Sequence, residues 1–335
     1  MPFSHMQFIE TQSLFFYVSV LTVVLIAQFV LGVLLPGQSH RPPLVWWFAQ
    51  RLMDALGQKL NRSNRSPKAL FVRGFLTLGF MLIVGWSMAV LVRNITILLP
   101  YGWLGIIVLV WGSVNIITVW RMLRGVTAVE NLDDLPRKAG ALADLTGLNL
   151  KTSDPHTVAR AALLYTCRSL SIYVVGPVLA LVSFGLVGLM LYVFTLSTGR
   201  EIDFGIRPKS FFFKPFYMLQ ALFDLIPSRI TAALICLAAI ITPTAHPRQA
   251  LHVVFDGSQH FPGLNFGAPL KAFAGAVGAS LGGGLNYQSG AQVVYPWIGH
   301  ENATARATLA DVKRGFVLHI YVTVFVILAL LIGLT

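Results

Sequence analysis

The sequence predicts an all-α fold: a polytopic integral membrane protein of about five to six transmembrane helices, with amphipathic surface helices and a Gly/Pro-rich loop domain. Three observations predict it. Apolar residues make up 56% of the 335 residues and charged ones 11%, whereas soluble domains carry about a quarter charged. Mean hydropathy is +0.71. The apolar residues gather into runs near the length of about 20 that one crossing needs. This excludes an ordinary soluble enzyme, and so much apolar surface excludes disorder. The net charge of +12, from 25 basic against 13 acidic residues, would suggest nucleic acid in a soluble protein. Here most basic residues lie between the apolar runs, so orientation in the bilayer and attraction to membrane lipid account for them and no nucleic acid is implied. Cys167 and Cys236 lie in or beside apolar stretches and build no disulfide framework.

Taken in order, the first span covers 13–35 and stops at Pro36; it is too long for a signal-peptide core and has no basic residue before it. The second covers 74–92 between Arg73 and Arg93. The third, 103–120, has Tyr101, Trp103 and Trp120 placed for an interfacial aromatic belt. The fourth, 169–197, is longer than one crossing needs. It reads as one tilted span or as two half-helices folding back near Gly185, the single span being favoured. The fifth covers 225–244 and the last 316–334. Polar segments 37–73, 121–168 and 245–314 separate them, and 1–335 reads as one membrane domain. Arg41, Arg51, Lys59, Arg62, Arg65, Lys68 and Arg73 face only Asp54 in the first segment. That segment is therefore cytoplasmic, the N-terminus is outside, and 121–168, also basic, falls on the cytoplasmic side two crossings later. The single-span choice puts 245–314 there too. Residues 41–60 form an amphipathic helix with Leu44, Trp47, Phe48, Leu52, Leu56 and Leu60 at helical spacing. Residues 211–224 look similar. The dense Gly and Pro of 245–314 indicate a loop domain.

Few motifs carry chemistry. Residues 265–287 read NFGAPLKAFAGAVGASLGGGLNY, where Gly282, Gly283 and Gly284 allow either a closely packed turn or amide donors for a phosphate. In FDLIPSRITAALI, 223–235, Asp224 and Arg229 form an ionisable pair at the mouth of a span, either functional or a cap with a snorkelling arginine. In 144–164, Asp154 and Pro155 start a helix carrying His156 and Arg160. His252, Asp256 and His260 have no standard zinc spacing, so no metal site is assigned. There is no Walker A sequence, no GxSxG and no paired carboxylate.

These motifs resemble the CbiB/CobD family of cobalamin biosynthesis. The family's N-x-G-x-P-x-x-A-x-A-G-A-x-G-x-x-L-G-G, followed by Tyr, is matched at Asn265, Gly267, Pro269, Ala272, Ala274, Gly275, Ala276, Gly278, Leu281, Gly282, Gly283 and Tyr287. Its I-P-x-R is matched at Ile226, Pro227 and Arg229, its A-R-A at Ala159 to Ala161 behind Asp154 and His156, and its L-N-R at Leu60 to Arg62. The resemblance covers most of the chain and is strongest after residue 220. It implies a bacterial inner-membrane enzyme that joins adenosylcobyric acid to aminopropanol or its phosphate. ATP and Mg2+ would serve as cofactors, with corrinoid and aminopropanol-type molecules as partners. It also implies substrate contacts at Asn265, Gly267, Pro269, Gly282, Gly283, Tyr287, Arg229 and Asp224.

The chain departs from the family in its acids. The run E-x-x-x-E-N-x-S-D falls on Leu164, Arg168, Ser169, Ser171 and Ile172, where only the serine survives. N-T-L-D becomes Phe194, Thr195, Leu196 and Ser197, and the paired aspartates before I-P-x-R become Gln220 and Ala221. A sister branch, AmpE, has the form D-x-x-P-x-R, which Asp224, Pro227 and Arg229 fit, but lacks the Gly-rich late motif. The expectation is therefore a CbiB/CobD-like amide ligase with degraded activity, the alternative a non-catalytic AmpE-like sensor or regulator. A transporter is disfavoured because no broken helices or repeated halves are visible.

Overall fold

The computed structural model describes residues 2–35, 37, 41–62, 64–197, 210–256 and 265–334, with side chains from residue 14 onward. It is all-α apart from one two-stranded sheet. Five described helices are long and apolar enough to cross a membrane, six with a bent pair counted as one more.

Helix α1 (Pro2–Leu34) buries Leu21, Leu25 and Gln28 on one side and exposes Val23, Val30 and Val33 on the other, the face that suits lipid. α2 (Leu44–Leu60) is amphipathic in a double sense. Val45, Trp46, Ala49 and Met53 are buried in the protein, while Leu44, Trp47 and Phe48 stay exposed as a membrane-surface helix requires. α3 (Pro67–Leu98) starts where Ser66 Oγ accepts the Ala69 N–H and Pro67 needs no donor.

The expected third span is broken in two: α4 (Trp103–Ser113) and α5 (Ile116–Thr127). Val114 and Asn115 leave the helical conformation, and each freed backbone group needs a partner where water is excluded. Gln28 of α1 supplies most of them. Its Nε2 donates to the carbonyls of Trp111 (2.9 Å) and Val114 (3.1 Å), and its Oε1 accepts the Ile116 N–H at 2.9 Å. Trp46 Nε1 donates to Ser113 O at 2.7 Å, and the Asn115 N–H reaches Tyr173 O. At the other end of α5, Arg124 donates to the carbonyls of Val33 and Leu35, closing the end of α1. Arg121 donates to Gly37 O. The two basic segments thus meet in space.

After the short helices α6 (Leu135–Lys138) and α7 (Gly140–Thr146) comes α8 (Pro155–Ser169), buried from Val158 onward. It begins as expected, with Asp154 accepting the Thr157 N–H behind Pro155. A π-helical turn, Leu170–Val175, leads into α9 (Gly176–Leu196), which breaks at Gly185 with φ 63° and ψ −159°. Tyr192 OH lies 3.4 Å from Ile172 O, and a Cβ on Gly176 would collide with that hydroxyl. In a straight helix residues 176 and 192 would be about 24 Å apart. The stretch 169–197 is therefore not one tilted span: it folds back at Gly185, because that backbone conformation is one only glycine adopts readily.

Further along the chain, Ser210 Oγ donates to Asn61 Oδ1 at 2.7 Å, and the backbone of Phe212 touches Gly74. The chain thus returns to the side of the 37–73 segment. α10 (Lys214–Phe223) and α11 (Leu225–Ile241) then meet at a bend of 51° around Asp224. Residues 225–244 do not form a separate straight span.

Segment 245–314 is more ordered than a loop domain. It holds α12 (Pro247–Phe255), α13 (Gly267–Val277) and the antiparallel hairpin β1 (Leu281–Asn286) and β2 (Gln292–Ile298). Proline opens α12 and glycines take the left-handed positions at Gly278 and Gly290, so the same residues that read as punctuation delimit compact elements. The Asn149 N–H donates to Asn286 O and the Gln288 N–H to Gly147 O, both at 2.8 Å. The hairpin therefore lies on the same side as 121–168, as expected, though by a different route. α14 (Leu309–Ile332) closes the fold behind a Thr308–Asp311 capping box.

Candidate functional site

Where the π-turn after α8 faces the α10–α11 bend and the start of α13, a pocket is lined by Arg168, Tyr217, Gln220, Ala221, Asp224, Asn265 and Phe266. Tyr217, Gln220, Ala221 and Asp224 recur at the three- and four-residue spacing of one helix face, which is how a single short helix supplies most of the wall. Its cavity volume is about 10 Å³, room for roughly one water molecule.

A buried ion pair forms the floor. Arg168 Nη1 lies 3.2 Å from Asp224 Oδ2, and the side chains are 8% and 5% exposed. Ser171 Oγ donates to the other carboxylate oxygen at 2.7 Å. The Arg168 guanidinium also stands 5.2 Å over the Phe266 ring. Two charges out of water persist only when paired and hydrogen-bonded, and each condition is met here. The expected Asp224–Arg229 pair is not formed. Arg229, five residues on and exposed, donates instead to Asn265 Oδ1 at 3.0 Å and to Leu225 O at 2.7 Å. Asn265 Nδ2 donates to Ala221 O, which fixes the rim. Gln220 is buried, and its Oε1 has no hydrogen-bond partner among the described residues.

Of the residues expected at a substrate site, Asp224, Arg229 and Asn265 come together. Gly267 and Pro269 lie in the first turn of α13, next along the chain but outside the pocket lining. Gly282, Gly283 and Tyr287 belong to the hairpin, which packs near Arg160, about 12 Å along α8 from Arg168. There the glycines have a packing role. A Cβ on Gly282 would strike Pro296 O, and one on Gly283 would lie 2.7 Å from the Trp297 ring. Tyr287 OH is 3.0 Å from Tyr295 OH.

Three positions where the resembled family carries acids, Arg168, Gln220 and Ala221, line the pocket, and Ser171, where the family also has a serine, reaches its floor; Leu164, Ile172 and Ser197 lie outside the lining. Among the described residues Asp224 is the one carboxylate in its lining. Among the described residues no three His, Cys, Asp or Glu side chains converge on a metal position. His252 lies 5.7 Å, ring to ring, from His300, and His260 is outside the described residues.

Beside the pocket is a network that sequence reasoning missed. Trp120 Nε1 donates to His319 Nδ1 at 2.9 Å, so the proton of this buried imidazole sits on Nε2, 3.1 Å from Ser169 Oγ. Ser169 donates onward to Thr166 O at 2.7 Å. A histidine inside an apolar run was the available signal, as was Gln28 inside the first.

Fold and site define a helical chain, compatible with a multi-pass membrane protein, with an ion pair buried at a helix bend. No protein-family model matches the chain, and no curated protein or solved structure matches it.

Proposed function

We propose that this chain is a divergent relative of the CbiB/CobD proteins that has given up amide ligation and serves in a bacterial inner membrane as a non-catalytic, AmpE-like sensor or regulator. One observation carries the proposal. Three of the positions where the resembled enzymes carry acids are Arg168, Gln220 and Ala221 here, and they line a pocket in which Arg168 is paired with Asp224. ATP-driven amide formation requires an activated carboxyl group and a Mg2+ held by several carboxylate oxygens. The described residues do not fit Mg2+: the one carboxylate they bring to the pocket is neutralised by a guanidinium, and a cation there would face Arg168. Gly282 and Gly283 need no ATP phosphate to account for them, since the backbone and indole of β2 occupy the space where a side chain would sit.

Complementation tests the proposal against the ligase reading. The chain is expressed in a bacterium lacking its own cobinamide-forming amide synthase and grown on cobyric acid. The expected result is no growth with the protein present in the membrane, together with a deletion phenotype in its own host that added cobinamide does not cure. Growth on cobyric acid would overturn the proposal and restore the ligase, its corrinoid and aminopropanol substrates, and its ATP and Mg2+.

A further inference from the structure

We infer that an anionic phospholipid docks at the α10–α11 bend, its headgroup resting at the rim and one headgroup hydroxyl entering the pocket to donate to Gln220 Oε1. Three features of different kind point there. The first is chemical: Gln220 is 5% exposed and lines the pocket, yet its carbonyl oxygen has no partner among the described residues. A buried acceptor left unsatisfied costs free energy, so the site calls for a hydrogen-bond donor.

The second is shape. On α10 the pocket-lining face of residues 217, 220, 221 and 224 is flanked by Met218, Leu222 and Leu225, with Ile226 beyond, and these are 58%, 65%, 41% and 63% exposed. A polar notch bordered by an open apolar stripe fits a molecule with a polar head and hydrocarbon chains; a free polar solute leaves the stripe uncovered.

The third is charge and side. Arg229 is exposed and held at the rim through Asn265, where it can meet a phosphodiester, and an arginine is suited to phosphate oxygens. Lys214 begins the same helix, and Ser210 just ahead of it bonds Asn61 of the basic 37–73 segment. The notch therefore opens on the side where basic residues collect and anionic lipid is the matching partner. A cavity of about 10 Å³ admits a hydroxyl-sized group but not a whole ring. The inference is independent of whether the chain is a ligase or a regulator.

Binding of three short-chain lipids to the purified full-length chain in a nonionic detergent tests it. Phosphatidylglycerol has the charge and the hydroxyls, phosphatidylmethanol the charge alone, and phosphatidylcholine neither net charge nor hydroxyl. Phosphatidylglycerol should bind about five-fold tighter than phosphatidylmethanol, the size of one neutral hydrogen bond. Phosphatidylmethanol should in turn exceed phosphatidylcholine by about ten-fold, an advantage that Arg229→Gln removes. Gln220→Met should abolish only the first preference. Equal binding of phosphatidylglycerol and phosphatidylmethanol to the unmodified chain overturns the inference, as does a preference that survives Gln220→Met. If that variant does not fold, Ala221→Leu fills the notch from the neighbouring position and must remove the same preference.

Discussion

Asp224 and Arg168 are 56 positions apart in the chain and buried against each other. The aspartate was legible in the sequence as an ionisable residue beside an apolar run; its partner was not. Arg229 lies within helical reach and looked the natural choice, but the 51° bend at Asp224 turns the carboxylate towards the π-turn and leaves Arg229 at the rim. Removing one member of a buried pair strands the other, so Asp224→Ala or Arg168→Met should each cost about 3–5 kcal/mol. The double variant Arg168→Met/Asp224→Leu should recover most of that loss, because apolar residues of similar volume require no pairing. Thermal unfolding in detergent checks this: the ion-pair account predicts the double variant above both singles, and additive losses would contradict it.

Helices were legible as apolar runs, whereas their interruptions were not. The break at Val114 and Asn115 rests on Gln28, a residue more than 80 positions away that sits in another helix. No local pattern in 103–127 announces it, since the side chain that makes a break tolerable lies elsewhere. Gly185 is the opposite case, because a glycine within a run too long for one crossing did mark the fold-back as an alternative. At φ 63° and ψ −159° the position lies where a side chain is strained by about 1–3 kcal/mol. Gly185→Ala should therefore destabilise the chain by about that amount and loosen the antiparallel contact of Tyr192 with Ser171 and Ile172. Amide hydrogen exchange over 186–196, slow with Gly185 in place and faster in Gly185→Ala, reads out the second effect. Unchanged exchange and stability in Gly185→Ala would mean that the bend is held by packing alone.

Across the whole molecule, two misjudged elements cancelled. Treating 169–197 as one crossing and 225–244 as another returned 245–314 to the cytoplasmic side. In the structure the first folds back at Gly185, Ser210 stands beside Asn61, and the second ends where Thr244 accepts from Arg314 at the start of α14. The two routes agree on the hairpin, which the bonds of Asn149 and Gln288 place beside 121–168. They disagree on the chain between them. Single cysteines at exposed positions separate the routes, in a background where the buried Cys167 and half-buried Cys236 are replaced. Tyr101, 72% exposed at the α3–α4 turn, should label from outside with an impermeant maleimide once changed to cysteine. Cysteines at Arg65 and Ser289 should label only after permeabilisation, on the side the basic residues mark. Lys214 decides. The fold-back puts Lys214→Cys with Arg65, since Ser210 and Phe212 are already seated on Asn61 and Gly74. A single crossing through 169–197 puts it with Tyr101. Labelling of Lys214→Cys from outside would remove the fold-back, and with it the placement of the lipid notch on the basic side of the protein.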